Sequence, residues 1–337
     1  MTNPIKILLL NIYFWIPLIT LGQIPISGTD ALSFTIVGQS DTIEFIKIDQ
    51  QLNTRKPTII FFQGSLPIPL IIKSSSEAAF IPSLNFNYEE VCKKFNLIVI
   101  GMPHIPTMVS EDSLSNHFAY ITDKSDPHSF PKAYLEDDYL ENYVERGNSV
   151  INFLMLQDWV AADSIYIVGH SQGARIATKI AVQSKNIAAL GFLAGDPLGR
   201  VTQPIRAIRL KQRKGELTPI EAQNKIDDIY KKWEAINAPS EEIKQSSIVS
   251  FSEPLVNDLT QTKLPVYIAY GTEDLNAEYC DLLPIYFIRN QKHNYRLVAY
   301  PGLEHNFMEL DSLGNPNPEK FHWNDVFMGF IDWLEGQ

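Results

Sequence analysis

A serine, an aspartate and a histidine stand in that chain order, each just beyond a short apolar run. Ser171 sits in Gly169-His170-Ser171-Gln172-Gly173, Asp274 in Gly271-Thr272-Glu273-Asp274, and His305 in Pro301-Gly302-Leu303-Glu304-His305. A serine hydroxyl is a poor nucleophile at neutral pH. It needs a histidine to accept its proton and a carboxylate to hold that histidine in the useful tautomer. These three side chains could supply that set if the fold brings them together. The chemistry open to them is attack of a serine oxygen on a carbonyl carbon.

The elements around them must do the positioning. Ser171 follows Ile165-Tyr166-Ile167-Val168 and precedes Ala174-Arg175-Ile176-Ala177, a strand leading straight into a helix. A Cβ at Gly169 or Gly173 would collide where strand and helix close on each other. The turn pushes the hydroxyl out of the sheet, near the positive end of the helix. The bland alternative is a strand-end serine bonded to backbone. For the carboxylate, Glu273 and Asp196 are alternatives to Asp274. Among the other histidines, His104, His117, His128, His293 and His322 do not follow a strand next to that of Asp274, and His170 reads as structural. A tetrahedral oxyanion needs two N–H donors. The backbone N–H of Gln172 is one candidate. The loop after the apolar run Thr58–Phe62 offers Ser65, with Leu66 second.

Along the chain, Leu32–Val37 and Thr42–Ile48 read as a hairpin at a sheet edge. Thr58–Phe62, Leu97–Ile100, Leu190–Ala194, Val266–Tyr270 and Tyr295–Tyr300 read as further strands, and Tyr88–Phe95, Leu140–Leu154, Asn276–Ile288 and Trp323–Leu334 as helices. Residues 102–136, rich in Pro, Ser, His and Asp, read as a long loop. Within 200–262 the alternation stops. Thr218, Pro219 and Glu221 mark a capped helix start there, Ile226, Ile229, Trp233 and Ile236 its buried stripe, and Asn237–Pro239 its end. Repeated strand–helix units predict a mostly parallel sheet with helices on both faces.

The chain has 337 residues, 45% hydrophobic and 20% charged, with net charge −11. With no basic cluster longer than a few residues, a nucleic-acid partner is not expected. Neither G-x-x-x-x-G-K-[ST] nor G-x-G-x-x-G occurs, so no nucleotide cofactor is implied, and zinc-ligand spacing is absent too. Residues 1–22 read as a secretory signal cut after Gly22, with an uncleaved anchor as the alternative; no other apolar segment reaches spanning length. The expected location is therefore outside the cytoplasm. Cys92 and Cys280, far apart on separate predicted helices, read as small buried hydrophobes.

The glycine-flanked Ser171, the post-strand Asp274, and His305 behind a Pro-Gly turn make Leu32–Leu334 resemble the α/β-hydrolase superfamily. The resemblance implies an eight-stranded, mostly parallel sheet with a helical cap, 200–262, after the sixth strand, and a core made of 23–199 and 263–337. It also places Cys92 and Cys280 on opposite faces, out of reach of each other. Two departures bear on the oxyanion loop: Gln63-Gly64 stands where many relatives have His-Gly, and no H-G-G-G run occurs. The expected activity is hydrolysis of a small-molecule carboxylic ester through an acyl-enzyme on Ser171. Peptidase or acyltransferase activity with the same residues, and a non-catalytic binding protein, are the rivals. Epoxide hydrolase and dehalogenase chemistry is disfavoured, because such relatives carry aspartate where Ser171 stands.

Overall fold

The strand-forming runs feed alternate side chains to two hydrophobic layers, so one sheet organises the whole molecule. Ile60 and Phe62 enter one layer while Ile59 and Phe61 enter the other; Ile98 and Ile100 divide from Leu97 and Val99 in the same way. The structure is a computed structural model and describes residues 23–38, 41–74, 78–236 and 247–337. The proposed signal and the expected helix end at Asn237–Pro239 lie outside these residues.

The central sheet is built from β1 (Gln23–Pro25), β2 (Leu32–Val37), β3 (Thr42–Lys47), β4 (Lys56–Phe62), β5 (Asn96–Ile100), β6 (Val160–His170), β7 (Ala189–Leu193), β8 (Val266–Gly271) and β9 (Tyr295–Tyr300). Their spatial order is β1-β2-β3-β5-β4-β6-β7-β8-β9. The first three and the β3–β5 pair are antiparallel, and from β5 onward every pair is parallel. The expected count of eight is corrected to nine among the described residues. The additional strand, β1, is three residues long, exposed, and ends in proline, so neither length nor alternation marks it.

Helices cover both faces. On one lie α1 (Leu140–Leu154) and α2 (Gln172–Gln183), with buried Val150, Ile151, Ile176 and Ile180. Tyr88–Lys94 and the C-terminal helix Trp323–Glu335 cover the other, with Val91, Val326, Phe327 and Phe330. Cys92 and Cys280 are buried, unpaired, and belong to opposite layers. Burial pushes the Cys92 thiol up to about 12, so it stays an inert filler.

Between β7 and β8 the chain forms α3 (Thr202–Arg213), α4 (Pro219–Ile236) and the short helices Ser247–Ser250 and Val256–Gln261. The α4 start is a reciprocal capping box: Glu221 N–H donates to Thr218 Oγ1 at 3.2 Å, and Thr218 N–H to Glu221 Oε2 at 2.9 Å. Ile226 is 1% exposed, and Ile229, Trp233 and Ile236 are half-buried.

Two expectations need correction, and one element was unannounced. Residues 102–136 are not all loop: Met108–Ser110 pairs in parallel with Ile71–Lys73, which also pairs with Ala79–Phe80. The expected helix 276–288 is two short ones, Ala277–Cys280 and Leu283–Arg289, the second restarting with Pro284 in its first turn. Beyond β9, Met308–Leu310 and Pro316–Phe321 form a hairpin that no periodicity announces.

Candidate active site

The β6–α2 junction holds Ser171 at φ +56°, ψ −118°, a region costly for any residue with a Cβ. The close approach behind this turn excludes side chains at both flanking glycines. A Cβ on Gly169 would lie 2.1 Å from the carbonyl of Gly173, and one on Gly173 would lie 2.0 Å from the Phe62 carbonyl oxygen. The strand end at β4 therefore sets the glycine at 173, while the strand–helix contact sets the one at 169. Ser171 N–H is anchored to Leu193 O of β7 at 2.9 Å.

The expected three side chains converge. His305 Nε2 lies 2.9 Å from Ser171 Oγ, and His305 Nδ1 lies 2.8 Å from Asp274 Oδ2. Asp274 is 7% exposed, just beyond β8, and its Oδ1 accepts the Asn276 N–H at 2.9 Å. The His305 loop is tied on several sides: Glu304 N–H donates to Met308 O at 2.9 Å, Glu273 N–H to Leu303 O at 2.9 Å, and Glu304 Oε1 accepts the Asn306 N–H at 2.7 Å. Burial lowers the His305 pKa, but the Asp274 hydrogen bond and charge, aided by Glu304, outweigh it and hold it above the ordinary histidine value.

Neither alternative carboxylate meets His305. Asp196 is buried, with Oδ2 on the Arg206 guanidinium and Oδ1 accepting the Leu198 and Gly199 N–H groups. Glu273 is exposed, and its carboxylate has no partner among the described residues. His170 faces the back of the site: its Nε2–H donates to His305 O at 2.9 Å, and its ring packs 4.9 Å from that of Trp323. Burial, and then the nearby His305, pull its pKa down to about 3, so it is neutral.

Both backbone N–H groups singled out for an oxyanion, Ser65 and Gln172, lack a partner among the described residues. Two cavities meet at Ser171. The larger, about 290 Å³, is lined by Gly64, Ser65, Leu66, His305 and Trp323; the smaller, about 50 Å³, by Ser65, Gln172, Arg175, Arg200 and Asn276. Ser65 borders both. Its loop is shaped by Gln63 Nε2 donating to Ile68 O at 3.0 Å, and Tyr134 OH donates to Ser65 O at 2.9 Å. The second bond fixes the peptide plane that carries the Leu66 N–H.

Sequence reasoning missed several of these partners. Asn276 could have been found, since an aspartate accepting the N–H two residues on is a common turn signature. Tyr134, Arg175 and Arg200 are brought in by tertiary packing and carry no local signal. Among the described residues no group of three or more acidic, histidine or cysteine side chains is placed to hold a metal, and no helix is long and apolar enough to cross a membrane.

The strand order, the strained serine between β6 and α2, and the Asp274 and His305 loops after β8 and β9 define the α/β-hydrolase fold. This chain has that fold. Among solved structures it is similar to an acetyl xylan esterase from Paenibacillus sp. R4, at 10% identity and TM-score 0.51, covering 95% of this chain and 87% of that one. It is similar to a putative dienelactone hydrolase from Klebsiella pneumoniae, at 11% identity and TM-score 0.54, covering 91% and 98%. The acylaminoacyl peptidase of Pyrococcus horikoshii matches at 13% identity and TM-score 0.52, over 91% of this chain and 42% of that one. No protein-family model and no curated protein matches the sequence.

Proposed function

We propose that the protein is a serine hydrolase that cleaves carboxylic esters through an acyl-enzyme on Ser171. The observation that carries this reading is the unbroken chain from Ser171 Oγ through His305 to Asp274, at 2.9 and 2.8 Å. His305 Nε2 takes the hydroxyl proton as Oγ attacks the ester carbon. The oxygen that gains charge is held by the Gln172 and Ser65 N–H groups. His305 then returns the proton to the leaving alkoxide and, in the second half, takes one from water to release the acid. Asp274 keeps Nδ1 protonated and stabilises the imidazolium.

Residues 200–262 act as a cap over this rim in the proposal, and 23–199 with 263–337 as the core. Support comes from Arg200, at the start of the insertion, whose guanidinium reaches the Gln172 side chain beside the nucleophile. Residues 1–22 serve as an export signal, on their composition alone.

The test is hydrolysis of 4-nitrophenyl acetate against an alanine 4-nitroanilide, with Ser171→Ala as the control. The proposal expects Ser171-dependent turnover of the ester at the higher rate. Ester turnover that survives Ser171→Ala refutes it, and a faster anilide reaction turns the reading to a peptidase.

A further inference from the structure

The small cavity beside Ser171 carries a concentration of positive charge that the catalytic chemistry does not use. Arg175, near the start of α2, is 3% exposed and lines this cavity. Its guanidinium meets only backbone carbonyls: Nη1 donates to Asp196 O at 2.6 Å and Nη2 to Glu253 O, while Nε has no partner. Arg200 lines the same cavity, lies with its Cζ 4.8 Å from the Phe251 ring centre, and donates to the neutral oxygens of Gln172 and Ser247. Two guanidiniums thus face one space without a direct carboxylate hydrogen bond, although Asp196 also lines it. Asp196 is taken by Arg206, and Asp274 by His305. Asp138 reaches Arg200 only through Ser247 and Gln172, and the Glu253 carboxylate pairs with Lys179. Burial brings the Arg175 pKa down to about 10; the charge of Asp196 opposes this and Arg200 adds to it.

The two cavities also have different places in the reaction. The leaving oxygen must take its proton from His305 Nε2. His305 lines the large cavity and not the small one, so the leaving group departs through the large one. The acyl part then occupies the small cavity. At about 50 Å³, against about 290 Å³ for its neighbour, it admits only a short group.

Resting on the serine-hydrolase reading, we infer that the small cavity is an acyl pocket for short acyl groups ending in a carboxylate, held by Arg200 and Arg175. The substrate class is the monoester of a short dicarboxylic acid. A carboxylate there meets two guanidiniums, an arrangement suited to charge-assisted recognition.

Monobenzyl succinate and benzyl butyrate differ at the far end of the acyl chain, carboxylate against methyl, and share one leaving group. The pocket predicts that kcat/KM favours the succinate by about tenfold or more. Arg200→Gln and, separately, Gln203→Glu should each bring the ratio towards one. Gln203 is half-buried, lines the cavity, and its side chain has no partner among the described residues, so its variant decides should the arginine variant not fold. A wild-type ratio near or below one, with both esters cleaved in a Ser171-dependent way, overturns the pocket and leaves the hydrolase standing. So does failure on both esters by a protein that a fluorophosphonate still labels. A high ratio that survives both substitutions overturns its assignment to this wall. Failure on both esters without labelling removes the hydrolase reading, and the pocket falls with it.

Discussion

Asp274→Asn changes one atom and should nearly silence the site, for a reason the geometry supplies. Asp274 Oδ1 accepts the Asn276 N–H at 2.9 Å, and Oδ2 faces His305 Nδ1 at 2.8 Å. An asparagine must keep its carbonyl towards the Asn276 N–H, because an amide NH₂ there would oppose another donor. Its NH₂ then faces Nδ1, which must accept, so the imidazole proton moves to Nε2. In that tautomer His305 cannot take the Ser171 proton. Restoring the useful tautomer means leaving buried donors opposed, at about 1–3 kcal/mol. The charge-assisted bond to the imidazolium is lost as well, at about 1.5–3 kcal/mol. The two together predict a fall in kcat of about 10²–10⁴-fold, at about 1.36 kcal/mol per decade. Steady-state hydrolysis of 4-nitrophenyl acetate measures it, with circular dichroism to establish the fold. A folded Asp274→Asn variant within about tenfold of wild type would refute the reasoning.

Because His305 must be neutral to act and its pKa is raised, the acid limb of kcat/KM should lie above the ordinary histidine value of about 6.5; Asp274→Asn should move the limb down, and a limb that stays put contradicts the assignment. His170 titrates the other way. Its folded pKa of about 3 lies below the unfolded value, so the folded state binds fewer protons in between and stability is lost as pH falls through that window. The slope is about 1.4 kcal/mol per pH unit. Urea midpoints between pH 7 and 4 should therefore flatten in His170→Gln, and an unchanged slope counts against a buried neutral ring. Gly173→Ala drives a Cβ to 2.0 Å from the Phe62 carbonyl oxygen, so the strand end must shift. A loss of about 2 kcal/mol or more is expected, read as a lowered thermal midpoint, and a neutral result would mean the turn is looser than described.

The parts of the molecule that obey local rules were the ones legible beforehand. Long apolar runs such as Thr58–Phe62 and Val266–Tyr270 announce parallel strands, and the residues just past their ends are where side chains of a parallel sheet gather. That is why Ser171, Asp274 and His305 could be picked out of a chain with seven histidines and then be found within hydrogen-bonding distance. The Thr218–Glu221 box was readable for the same reason, since both halves lie within one turn. What stayed hidden has no local period. Gln23–Pro25, Ile71–Lys73 and Met108–Ser110 are three residues each, too short for alternation to register. Arg175 sits among apolar neighbours on α2, and only the approach of the 196 and 253 backbone explains its burial. The pairing of Arg200 with Gln172 spans 28 residues and depends on where the chain beyond β7 folds back.

Covalent capture of the nucleophile bears on the central claim more directly than any rate. The protein, treated with a fluorophosphonate and digested, should carry a single adduct on the peptide containing Ser171, and His305→Ala should slow its formation by several powers of ten. A folded protein that takes up no label, or takes it on a different serine, contradicts the account.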